Sequence, residues 1–179
     1  MLTFDWFEAY DADELNAAQL EFLAVLRERA RRWPCMPNAT ELAAPGDGCT
    51  QWRAVVDISA EIENLGLITV GVCFDGYSMR ASEVHNQSYC PYPADRSRIE
   101  VLEATGAPQE LGELAATWFE RILRRPVLYR EWVRHGQVAC EWGLADPEQW
   151  LVARGSNFPR VGKPDRFAMH PRGQAPQTD

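Results

Sequence analysis

Hydrophobic positions in the middle of the chain follow the period of an amphipathic helix. From Pro108 to Arg125 they recur every third or fourth residue, which places them on one helical face. Pro108 suits the first helical position because its missing N–H needs no partner there, and Pro126 ends the helix. The apolar positions are Leu111, Leu114, Ala115, Trp118, Phe119, Ile122 and Leu123.

After this helix the hydrophobic period changes from about 3.6 residues to two. Residues 127–133 and 137–144 alternate around His135 and Gly136, which suits two antiparallel strands joined by a tight turn. The sequence therefore predicts a helix that leads directly into a β-hairpin, and we expect this unit to form core.

A second helical pattern covers residues 11–33 and ends before Pro34. Asp11 and Glu14 have the spacing of a capping box at its start. Strand-like alternation follows in residues 52–62, 67–74 and 77–86, with turn residues between them. This order predicts an antiparallel meander whose strands are buried on one face.

Together these patterns predict an α+β protein. We expect a mainly antiparallel sheet of about five strands, made from the meander and the hairpin and packed against two long amphipathic helices. Residues 1–154 form a single domain in this interpretation. Residues 155–179 are rich in proline and glycine and form a tail that is extended or docked on a partner. Phe158, Phe167 and Met169 are candidate anchors within it.

The net charge of −8 narrows the classes of partner. The tail carries four basic and two acidic residues, a net +2, which leaves −10 for residues 1–154. Such an acidic body argues against binding to nucleic acid or to anionic membranes. No apolar run has the length of a membrane-spanning helix, and no secretory signal is recognisable, so we expect a cytoplasmic protein.

The cysteines and histidines indicate no cofactor and no metal. The five cysteines are odd in number and widely spaced, and none of the spacings matches a structural zinc site. Phosphate-binding loops and the common hydrolase motifs are missing. A small-ligand or enzymatic site remains an alternative, formed by the carboxylates Asp57 and Glu61 together with His85 and Cys90.

Seven tryptophans make aromatic side chains the unusual feature of this composition. If Tyr129 and the core side of the hairpin point inward, Arg130 and Trp132 lie on its outer face, where such residues are typical interface anchors. Trp6 and Phe7 lie in an aromatic N-terminal segment that either docks on the body or meets a partner.

The segment WFERILRRPVLYREW, Trp118 to Trp132, resembles a segment that recurs in small acidic uncharacterised proteins of high-GC actinobacteria. The resemblance covers the second helix and the hairpin, and it implies no activity.

These observations support three hypotheses of function. The first is a non-catalytic interaction protein, such as an inhibitor, an immunity-type protein or an accessory protein, that binds another protein through an acidic, aromatic-bearing surface. The second is a small-ligand binder or enzyme. The third is a structural protein that self-associates through its aromatic terminus and basic tail.

Overall fold

The computed structural model describes residues 5–8, 12–46, 49–60 and 65–172. Within these ranges the chain is α+β, with two α-helices and two antiparallel sheets. Its contacts divide it into two compact units. The first unit comprises residues 1–58 and 68–123, and the second comprises residues 59–67 and 124–179.

The first sheet has five strands in the order β1-β2-β3-β4-β5. Their bounds are β1 Thr40–Ala43, β2 Trp52–Ala60, β3 Leu65–Phe74, β4 Ser78–Glu83 and β5 Leu102–Thr105. The predicted meander is therefore confirmed as its three central strands. The first strand was not predicted from the sequence, and it pairs with β2, with Leu42 opposite Ala54.

Helix α1, Ala17–Ala30, is shorter at both ends than the predicted helix. Its cap is Asn16 rather than an aspartate, because the Asn16 side chain accepts a hydrogen bond from Gln19 N (2.9 Å) and Gln19 Oε1 accepts one from Asn16 N (2.9 Å). This reciprocal pair is the capping box, displaced along the chain from the predicted one. Phe22 of α1 stacks on Phe74 of β3 with ring centroids 4.2 Å apart.

Helix α2, Pro108–Leu123, begins at the predicted proline. It buries an apolar face that includes Leu111, Trp118 and Phe119. The Trp118 indole donates a hydrogen bond to the carbonyl oxygen of Glu100 (3.1 Å), which joins the helix to the segment before β5.

The central strands differ from the expectation of one buried face. Arg53 and Val55 lie on the side of β2 opposite Ala54, yet Arg53 is only 4% exposed and Val55 is also buried. Cys73 of β3 is buried on that side as well. The prediction failed because alternation in the sequence reports side-chain polarity, whereas coverage of the second face depends on loops distant in sequence.

The predicted hairpin is confirmed as β6, Val127–Arg134, and β7, Gln137–Leu144. His135 and Gly136 both have positive φ, 51° and 75°, as a two-residue type I′ turn requires. The hairpin lies in a second sheet of order β8-β7-β6-β9 and does not contribute to the five-stranded sheet.

The remaining strands of this sheet are β8, Gln149–Gly155, and β9, Arg166–His170. Part of the predicted tail is thus an edge strand, with Leu128 opposite Met169 and Arg130 opposite Phe167. Strand pairing uses backbone groups, so a short segment between prolines forms a strand without supplying a core of its own.

Candidate interaction surface

The outer face of the hairpin is covered by the chain's own residues. As predicted, Arg130 and Trp132 share one face, and Tyr129 lies on the other, with its ring 4.4 Å from that of Trp142. Trp132 is 2% exposed, and its indole N–H donates to the carbonyl oxygen of Gly162 (3.4 Å). The expectation that Trp132 presents an exposed ring on the outer face is therefore not met, and Tyr129, the other candidate interface residue of this hairpin, is buried as well.

Arg130 lies between aromatic and acidic groups of the second unit. Its guanidinium carbon is 3.8 Å from the ring centroid of Trp150 and 5.0 Å from that of Trp132. Its Nε donates to Glu141 Oε2 at 2.7 Å. A guanidinium held in this way stabilises the sheet, because every strong interaction it makes is internal.

The described part of the aromatic N-terminus is docked on the first unit. Phe7 is fully buried, with its ring 5.9 Å from Trp33 and 6.2 Å from Phe119. Trp6 is half-buried beside Trp33. Arg27 Nε donates to the carbonyl oxygen of Trp6 (3.0 Å) and Arg27 Nη2 to that of Phe7 (2.8 Å). Phe7 thus serves as core.

The residues of the alternative ligand site are brought only partly together. His85 and Cys90 bracket a tight loop in which His85 N donates to the carbonyl oxygen of Cys90 at 2.9 Å. Asp57 is exposed and accepts a hydrogen bond from Thr69 Oγ1 at 2.7 Å. Glu61 lies outside the described residues.

Sequence reasoning missed the tyrosine of this loop. Tyr89 Oη donates to Glu41 Oε2 at 2.7 Å. Burial, together with this hydrogen bond and the negative charges of Glu41 and Asp57, raises the pKa of Tyr89 to about 12. Only the pairing of β1 with β2 places Glu41 near this loop, so no local signal pointed to it.

A surface pocket of about 410 Å³ lies elsewhere in the first unit, along β4 and β5. None of the predicted ligand residues lines it. Its lining residues are Gln51, Ser78, Met79, Arg80, Glu103, Ala104 and Thr105. The Arg80 guanidinium is paired with Glu103 at 2.8 Å, so its charge is already compensated within the pocket.

The clearest exposed apolar surface is the edge strand β9. Phe167 and Met169 are 54% and 55% exposed and lie on the same face of the strand. Asp165 anchors the start of β9 to β6, because its N–H donates to the Glu131 carbonyl oxygen (2.8 Å) and its Oδ2 accepts from Val133 N (2.7 Å). Two of the three candidate tail anchors are therefore exposed on an ordered strand.

A second exposed apolar pair lies at the tip of the hairpin. Val133 and Val138 are direct cross-strand partners, and both are exposed. By strand alternation they point away from the face that carries Arg130 and Trp132. This pair has no aromatic residue and serves as an internal comparison for β9.

No family model, curated protein or solved structure matches this chain. In the part of the chain that the structure describes, no helix is long and apolar enough to cross a membrane. Within the same residues, no group of three or more His, Cys, Asp or Glu side chains is arranged to hold a metal ion.

Proposed function

We propose that this is a non-catalytic interaction protein that binds an extended segment of another protein along β9. The observation that carries the proposal is the outermost position of β9 in its sheet, combined with exposure of more than half of Phe167 and Met169. An edge strand offers N–H and C=O groups to an added strand, and flanking side chains supply specificity.

The two faces of β9 favour a partner strand of defined chemistry. Phe167 and Met169 make one face apolar, whereas Arg166 and His170 alternate with them on the other. The complementary segment alternates apolar residues with acidic residues, because apolar side chains then cover Phe167 and Met169 while carboxylates meet Arg166.

The proposal keeps the class of inhibitor, immunity-type or accessory protein and a cytoplasmic location. The proposed contact surface is the edge strand β9 and not the acidic surface that the sequence suggested, because the exposed large side chains of β9 are apolar or basic. The net charge of −10 on residues 1–154 supports a protein partner over nucleic acid.

Self-association is the second candidate, and the sequence of β9 favours it. A two-fold axis through Ala168 would place Phe167 of one copy opposite Met169 of the other. Sulfur–aromatic contacts of this kind are favourable. The same edge would then join two copies of the second sheet.

A binding measurement with defined peptides tests the proposal. The probes are two short fluorescent peptides, one alternating Glu with Val and one alternating Lys with Val. We expect the Glu–Val peptide to bind, and the double variant Phe167→Ser, Met169→Ser to weaken that binding at least about tenfold. The matched control is Val133→Ser with Val138→Ser, which removes the hairpin-tip pair and leaves β9 intact.

Equal binding of both peptides, or equal loss in both double variants, would overturn the assignment to β9. Sedimentation velocity of the chain alone separates the two candidates. A dimer that disappears in the Phe167→Ser, Met169→Ser variant supports self-association, whereas a monomer that binds the Glu–Val peptide supports a separate protein partner.

A further inference from the structure

The pocket along β4 and β5 lies at the edge of the five-stranded sheet, on the face that also carries Cys73. β5 is the outermost strand there, and Arg80 of β4 is the cross-strand partner of Cys73. Ser78 is paired with Thr105, and Arg80 is paired with Glu103. Side chains directly opposite each other in neighbouring strands share a face. These four side chains therefore form one polar wall, and all four line the pocket of about 410 Å³.

The guanidinium of Arg80 is fixed from two sides. Its Nη1 donates to Glu103 Oε1 (2.8 Å), and its Nη2 donates to the carbonyl oxygen of Tyr92 (3.0 Å). The side chains of Arg80 and Glu103 are 32% and 64% exposed, so a molecule in the pocket can reach both. Because the guanidinium is already held in place, little of the binding free energy is lost in ordering it.

The hydroxyl of Ser78 is oriented by the turn that precedes β4. Asp75 Oδ1 accepts hydrogen bonds from Tyr77 N (2.8 Å) and Ser78 N (2.7 Å), and its Oδ2 accepts one from Ser78 Oγ (2.7 Å). A hydroxyl has one proton to donate and two acceptor lone pairs. Since Asp75 takes the proton, the Ser78 oxygen is left as a hydrogen-bond acceptor in the lining of the pocket.

Gln51 and Thr105 add groups that both donate and accept hydrogen bonds. Gln51 lies directly before β2, and Thr105 is the last residue of β5. The Gln51 amide offers an NH₂ donor and a carbonyl acceptor, and the Thr105 hydroxyl offers one donor and two lone pairs. The pocket therefore combines several donors with several acceptors, whereas none of its described lining residues is aromatic.

The charges of the lining favour an uncharged ligand. Arg80 and Glu103 are the charged residues among the described lining residues, and they neutralise each other. A charged ligand would lose its hydration without meeting an uncompensated opposite charge. A ligand hydroxyl, in contrast, both donates and accepts. Two neighbouring hydroxyls can therefore donate to the Glu103 carboxylate and accept from the Arg80 guanidinium at the same time.

We propose that this pocket binds a small neutral polyol of the size of a monosaccharide, through the Arg80–Glu103 pair. Its volume of about 410 Å³ lies at the lower end of the range of about 300–1,000 Å³ that is usual for small-molecule sites. Adjacent hydroxyls of the ligand bind to the ion pair, and the remaining hydroxyls bind to Ser78, Gln51 and Thr105. The site belongs to the first unit, and it does not depend on the proposed binding edge at β9.

Saturation-transfer NMR on the full chain tests the site. The probes are D-glucose, D-mannose, D-galactose and myo-inositol, with glycine as a zwitterion and succinate as a dianion for comparison. We expect at least one polyol to bind saturably and more tightly than glycine or succinate. Glu103→Gln should raise its Kd at least about tenfold, because a charged acceptor is lost. The matched control Glu100→Gln removes a carboxylate of similar exposure, 69%, that is paired with Arg121, and should leave the Kd unchanged.

A second measurement uses the unmodified chain, so it does not depend on the folding of any variant. In amide chemical-shift mapping, the bound polyol should shift the signals of residues 78–80 and 103–105 and leave those of β9 unchanged. The proposal would be overturned if no polyol bound saturably, if glycine or succinate bound more tightly, or if Glu103→Gln left the Kd unchanged. Shifts confined to residues outside the pocket would overturn it as well.

Discussion

Gly112 of α2 lies against Phe22 and Val25 of α1 without room for a side chain. A Cβ atom on Gly112 would be 2.9 Å from the Phe22 carbonyl oxygen and 2.9 Å from Val25 Cβ. The two helices of the first unit therefore approach each other closely at this glycine. Glycine lowers the intrinsic stability of α2, but a larger residue would prevent this close packing.

We expect Gly112→Ala to destabilise the protein despite the better helix propensity of alanine. The overlap with Phe22 and Val25 should cost about 1–3 kcal/mol, which exceeds the propensity gain of about 1 kcal/mol. Urea unfolding measures the difference. Thr117→Ala places the same residue at an exposed position of α2 and should be neutral or slightly stabilising. A stabilised Gly112→Ala variant would contradict the close approach.

The buried carboxylate of Glu83 should be essential for the loop that follows β4. Its side chain is 5% exposed, forms an ion pair with Arg98 and accepts a hydrogen bond from Arg98 N at 2.9 Å. Glu83→Ala leaves part-buried donors of Arg98 unpaired, and because the Arg98 side chain is 42% exposed the loss should be about 1–3 kcal/mol. Glu103→Ala breaks the Arg80 pair, which is 64% exposed on the carboxylate side, and should cost less than about 1 kcal/mol.

Stability should fall in alkaline solution through the hydroxyl of Tyr89. Its pKa rises from 10.0 to about 12 on folding, so the folded state favours the protonated form. The stabilisation is complete below pH 10.0 and is lost as the pH approaches about 12. Tyr89→Phe should flatten the stability profile over that window, and absorbance at the phenolate band should lose the component that titrates at about pH 12, while Tyr129, whose pKa burial and Glu131 also raise, keeps a later one. An unchanged profile would contradict this prediction.

The Arg130 guanidinium should contribute measurably to the second sheet. Stacking on Trp150 and hydrogen bonding to Glu141 are both lost in Arg130→Ala, which should cost about 1–2 kcal/mol. Arg134→Ala removes an exposed ion pair with Asp165, 3.4 Å long, and should cost less than about 1 kcal/mol. Thermal unfolding followed by tryptophan fluorescence compares the two. Equal costs would show that the aromatic stacking contributes little.

Local patterns in the sequence predicted the elements of this protein better than their partners. The helix that begins at Pro108 and the turn at His135 and Gly136 follow from residue type alone, because a missing N–H and positive φ values act within a few residues. The capping box was predicted at Asp11 and Glu14 but lies at Asn16 and Gln19. Both pairs have the same spacing of three residues, so the spacing alone does not distinguish them.

These local patterns did not predict which distant segments pair as strands. The alternation of the hairpin is the same whether its strands join the first sheet or a second one. The hairpin lies in the second sheet because β7 pairs with β8 and β6 pairs with β9. The candidate site shows the same limit. Phe167 was recognisable as an apolar residue in a polar tail, but its place on an edge strand depends on backbone hydrogen bonds to β6.

The sequence by itself determined the α+β class, the position of α2 and the alternation that sets Arg130 and Trp132 against Tyr129. These properties depend on the periods of helices and strands, which are local. The tertiary structure alone decided that the chain covers Trp132 and exposes Phe167. Each of these depends on contacts between residues far apart in sequence, and no local period encodes them.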